Sequence, residues 1–141
     1  MPLTKDQQSS VLKFARCLIG KKTYTDMDCS HFVNFAYAQA DLHYPYTATS
    51  SFDKRLSAYF KKVDMQESAW EAADVLMFSG HMGLWDPEGC KVLQKEQTQD
   101  AECERFDNKL NFLSSRSGGN RGPAFGMTDW FGKLKAVYRW K

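Results

Sequence analysis

No stretch of the 141 residues stays apolar for the roughly 18 positions that a membrane span needs. The paired spacings C-x-x-C and H-x-x-x-H are missing, which removes the usual support for a zinc site. Cys29, His31, His81, Cys90 and Cys103 therefore do not read as a metal set, and no metal or other cofactor is expected. Nucleic-acid modules are excluded on similar grounds, because there is neither zinc-finger spacing nor an aromatic-glycine RNA signature. Met1 to Ser10 is polar and has no apolar h-region, so no ordinary secretory signal is expected. A substrate outside the cytoplasm would then be reached by specialised export or after lysis. Repeats and low-complexity tracts are also missing, and the length suits a single domain spanning residues 1–141.

What is present is an ordinary apolar content and a high aromatic share, enough for a core that forms unaided. The net charge is only +2, but it is unevenly spread. Residues 64–107 carry 11 acidic and 3 basic side chains, whereas residues 109–141 carry 7 basic and 1 acidic. Two solvated faces explain this pattern, and a basic surface leaning on an anionic polymer is the sharper alternative.

Thr4 followed by Gln7 reads as a capping box, ahead of a helical stripe of Val11, Leu12, Ala15, Leu18 and Ile19. Cys17 falls on that stripe and is expected in the core. A second helix starts at Cys29 and stops near Asp41, with Phe32, Val33, Ala36 and Tyr37 at helical spacing. Ser50 or Ser51 can cap a third, in which Phe52, Leu56, Tyr59 and Phe60 share a face. Asp74 to Ser79 and His81 to Trp85 then read as strands, and Cys90 to Gln94 as a strand returning after the turn at residues 86–89. Thr98 to Asp107 reads as a polar surface excursion, Leu110 to Leu113 as a strand, Ser114 to Gly126 as a loop, and Leu134 to Trp140 as a closing strand. Helices followed by an antiparallel meander make the fold class α+β. Cys90 and Cys103 flank the excursion and can form a disulfide in an oxidising compartment, if the fold brings them together.

Cys29 carries the chemistry. At the start of a helix, unsatisfied N–H groups and the positive end of the dipole stabilise a thiolate, the nucleophile of cysteine hydrolases. His81, in Gly80-His81-Met82-Gly83-Leu84-Trp85, is the partner base that takes the thiol proton and returns it to the leaving amine.

D-C-S-x-F-V on a helix, then A-D-V-L-M-F and G-H-M-G-L-W, resembles the NlpC-type papain-like peptidases that cut bacterial peptidoglycan peptides. The resemblance runs from about Leu18 to Gln94, with a looser echo in Trp130-Phe131-Gly132 and Tyr138-Arg139-Trp140. It implies a papain-like NlpC-type fold, with N-terminal helices packed on a small antiparallel sheet. It also implies a third catalytic residue on the strand after the histidine, which by position would be Gln94. Asp86 is the alternative orienter, with Ser114 or Ser115 as outsiders. By the same likeness Asp28 helps bind the substrate's amino group, Tyr24 lines the site and Ser30 contacts substrate. The oxyanion would be met by the Cys29 N–H and a second donor, Tyr24 or His31.

Four departures leave the substrate preference open. His31 stands where the family has glycine, Ala72-Ala73-Asp74 replaces the usual P-G-D, and both Thr98 to Asp107 and the long C-terminal loop are additional. The implied function is cysteine amidase or endopeptidase activity on peptidoglycan stem peptides. The stand-alone domain resembles type VI secretion amidase effectors, whose partner is a cognate immunity protein; a phage lytic enzyme with the same chemistry is the next-nearest biology. The rival classes are a thiol acyltransferase or deamidase of the same fold acting on host proteins, and a non-catalytic binding module with a structural Cys29.

Overall fold

The computed structural model describes residues 1–93, 95–96, 99–106 and 109–141. Four helices are α1 (Lys5–Arg16), α2 (Cys29–Gln39), α3 (Phe52–Arg55) and α4 (Ala101–Arg105). Six strands follow as β1 (Phe60–Val63), β2 (Val75–Phe78), β3 (His81–Trp85), β4 (Phe112–Arg116), β5 (Gly122–Gly126) and β6 (Ala136–Trp140). They form one antiparallel sheet in the order β1-β6-β2-β3-β4-β5. The fold class is α+β.

The capping box at α1 is complete. Gln7 N–H donates to Thr4 Oγ1 at 3.1 Å, and Thr4 N–H donates to Gln7 Oε1 at 2.8 Å. Helices α1 and α2 bury Val11, Leu12, Ala15, Phe32, Val33, Ala36 and Tyr37 in one cluster with Val75, Met77, Met82, Leu84, Leu113 and Phe125 of the sheet. The Tyr37 hydroxyl, fully buried, donates to the Ala73 carbonyl at 2.7 Å, and its ring stacks on Trp140. The opposite face carries Leu76, Phe78, Phe112 and Val137, covered by Trp70, Trp85, Phe131 and Leu134. With both faces covered, β2 is buried along its whole length, as its unbroken apolar run requires. Gly83 is needed where β3 passes β4, since a Cβ there would stand 2.6 Å from the Phe112 ring.

Several local expectations are corrected. The third helix ends at Arg55, and Phe60 opens β1 instead of extending a helical face. Cys17 caps the C-terminus of α1 and is half-buried, outside the core. Gly89 to Val92 is a short 3-10 turn, not a strand, and the neighbour of β3 is β4, which pairs Leu84 with Leu113. Ser114 to Gly126, expected as a loop, contains most of the β4–β5 hairpin.

The excursion between β3 and β4 is tied down. Cys90 and Cys103 form a disulfide with their Cα atoms 5.6 Å apart. Asp100, buried at the N-cap of α4, accepts hydrogen bonds from Glu102 N–H at 2.9 Å and Phe125 N–H at 2.7 Å. No helix among the described residues is long and apolar enough to cross a membrane.

Candidate active site

Cys29 is the first residue of α2, and Asp28 is its N-cap. The Asp28 carboxylate accepts the His31 N–H at 3.0 Å, which leaves the earlier N–H groups of the turn without intrahelical partners. They lie beside the thiol, where an oxyanion would need donors. Cys29 is 4% exposed, and its Sγ lies 3.6 Å from Thr49 Oγ1.

The residues around this turn form a polar network. Ser30 Oγ donates to Asp28 Oδ1 at 3.1 Å and meets the Tyr46 hydroxyl at 2.7 Å. The His31 ring reaches Asp28 Oδ1 through Nδ1 at 2.7 Å and stacks on Tyr46 with 3.8 Å between centroids. Burial pushes the Asp28 carboxyl up, but the bonds from His31 and Ser30 outweigh it and hold the group below its ordinary value. Burial, then the charges of Cys29 and Asp28, raise the Tyr24 phenol, so Tyr24 belongs to the same neighbourhood. Asp28, Ser30, His31 and Tyr24 thus gather around Cys29, as the sequence suggests. Thr49 and Tyr46 join them unannounced, from a stretch with no motif.

His81 opens β3 directly after the turn that Gly80 makes at φ +70°. Its imidazole stacks on Phe131, with 4.2 Å between centroids and a 9° interplanar angle, and touches Phe112 edge-on. Nε2 lies 3.0 Å from the buried Ser114 Oγ. Burial first, and the Arg116 charge second, lower the His81 pKa to about 4, so the ring is neutral at pH 7. No family model matches this chain, and no curated protein matches it in sequence.

The orienting partner expected at Gln94 lies outside the described residues. Among the described residues, Ser114 of β4 meets Nε2. Asp86 is corrected as an orienter: it is buried at the end of β3, in an ion pair with Arg16 Nη1 at 2.6 Å. Burial pushes its carboxyl up while Arg16 and two backbone N–H groups pull it back, so its charge is spent on structure.

The structure does not bring Cys29 and His81 into hydrogen-bond contact. Strand alternation explains why. Ser115 points to the face covered by α2 and donates to the Met27 carbonyl, two residues before Cys29. Ser114, its neighbour, points to the other face and holds His81. Thiol and imidazole therefore share one end of the sheet but address its two sides. Among the described residues, no group of three or more His, Cys, Asp or Glu is arranged to hold a metal ion.

Proposed function

We propose that this protein is a cysteine amidase or endopeptidase that hydrolyses amide bonds in peptidoglycan stem peptides. The observation that carries the reading is Cys29 at the first turn of α2, next to its N-cap Asp28, with its thiol 3.6 Å from Thr49 Oγ1. A helix N-terminus supplies backbone donors for the oxyanion. His81 acts as the base. Ser114 engages Nε2, which leaves Nδ1 to take the thiol proton.

In the reaction the thiolate attacks the scissile carbonyl carbon, and the C–N bond breaks. The imidazolium gives its proton to the leaving amine, and water then hydrolyses the thioester. This requires the thiol and imidazole, which address opposite faces of the sheet, to be brought together around His81 at the start of β3. The Cys90–Cys103 disulfide suits an oxidising compartment such as the periplasm, where such a substrate lies. Delivery as an antibacterial effector countered by an immunity protein belongs to the same proposal.

The test is incubation of the protein and its Cys29→Ala variant with purified sacculi, read by mass spectrometry. New stem-peptide fragments from the unaltered protein alone are expected. The separation of Cys29 from His81 favours one second reading, a binding module with a structural thiol. That reading expects no cleavage and slow alkylation of Cys29 by iodoacetamide at neutral pH, whereas the enzyme expects fast, pH-dependent alkylation.

A further inference from the structure

The sheet face that carries His81 also holds a cation with an unused donor. Arg116 ends β4, and alternation puts it on the same side as Phe112 and Ser114. Its guanidinium lies over the Trp130 ring, 4.9 Å from the centroid. Phe131, the next residue, stacks on the His81 imidazole. Two consecutive aromatic residues thus brace an arginine and a histidine side by side.

Arg116 Nη1 is buried and has no hydrogen-bond partner among the described residues. The acidic side chains that offset its charge, Glu102 and Asp100, already bond to Arg121, at 2.7 Å and 3.1 Å. Burial, then the charge of Arg121, hold the Arg116 pKa below its ordinary value. A buried guanidinium N–H without an acceptor is costly, and such an orphan calls for an explanation in terms of an absent partner. The flat fork of arginine matches a carboxylate in both charge and geometry.

We propose that Arg116 is a receptor for a ligand carboxylate, seated against Trp130 and next to His81. The ligand's identity as a stem peptide rests on the function proposed above; the carboxylate site itself does not. Within that function, Arg116 selects peptides that present a free carboxylate close to the bond cut. It also couples binding to the base, because a bound carboxylate offsets the positive charge beside His81 and makes the imidazole easier to protonate.

The experiment uses the full-length Cys29→Ala protein, so that nothing is turned over. Acetyl-alanyl-alanine and its C-terminal amide are titrated in turn, following the His81 imidazole by NMR and tryptophan fluorescence. His81→Gln identifies the imidazole signal. The acid is expected to shift the His81 resonance saturably and raise its titration midpoint, with the amide at least tenfold weaker. Arg116→Gln is expected to erase that difference. Arg116→Lys keeps the charge in a folded protein and is expected to weaken the acid severalfold while preserving its preference over the amide. Equal binding of acid and amide, unchanged acid binding in Arg116→Gln, or no binding of either peptide would overturn the proposal. Because no step depends on hydrolysis, inactivity on sacculi and failure of this site are separate results.

Discussion

The two faces of the sheet are built differently. Beneath α1 and α2 lies a deep cluster in which Phe32, Val33, Ala36 and Tyr37 are fully buried. On the far face the buried hydrophobic cluster has only four residues, covered by partly exposed side chains, Trp70 and Phe131 among them, that come largely from short turns. Two layers of regular structure can exclude water thoroughly; a roof of turns leaves room for polar groups to remain reachable. Cys29 belongs to the first environment and His81 to the second, so the candidate chemistry straddles the boundary between the stable and the accessible half.

The sharpest way to expose this contrast is to remove one ring from each side. Phe32→Ala should cost about 4 kcal/mol and Phe131→Ala about 1 kcal/mol, measured by urea denaturation. Equal losses would erase the distinction. The helical side also contains the buried Arg16–Asp86 pair, and Arg16→Met should cost about 3 kcal/mol by leaving Asp86 uncompensated.

The neighbouring serines give a finer test. Ser115→Ala should lower stability by about 2 kcal/mol, because the Met27 carbonyl loses its donor. Ser114→Ala should cost a smaller amount, about 1 kcal/mol, because the half-buried imidazole can turn towards solvent, and on the proposed function it should also reduce kcat on sacculi by freeing the imidazole.

The smallest effect concerns acid. His81 has a folded pKa of about 4 against an ordinary value of 6.5, so the unfolded chain binds its proton first. Stability should therefore fall as pH drops from 6.5 towards 4 and then level off. Partial solvent contact reduces the loss to the order of 1 kcal/mol. His81→Gln should flatten that slope in denaturation curves recorded across the range.

Helices α1 and α2 and strands β2, β3 and β6 were legible because their apolar residues recur at one clear period and their ends carry caps or turns. The β4–β5 hairpin was not. Ser114-Ser115-Arg116 and Gly122-Pro123-Ala124 have the composition of a loop, yet tertiary contacts bury both serines completely. Local composition cannot announce hydroxyls that are satisfied by a distant imidazole and a distant carbonyl. Ser114 was legible only as an outsider for the group that holds His81, because the strand that bears it lies beyond an excursion closed by a disulfide. Cys29 and its neighbours were legible because helix-start chemistry is written in consecutive residues; Thr49 and Tyr46 arrive through space.

The position of Asp100 has a consequence for assembly. Strand β5 is a margin of the sheet, and a margin strand offers its outward amides to any extended chain that drifts past. Asp100 fills one such amide, that of Phe125, with a side-chain acceptor, and the disulfide keeps the segment that bears it in place. At Phe125 that margin is already occupied, so a second copy or an extended peptide pairing along β5 would first have to displace the Asp100 side chain.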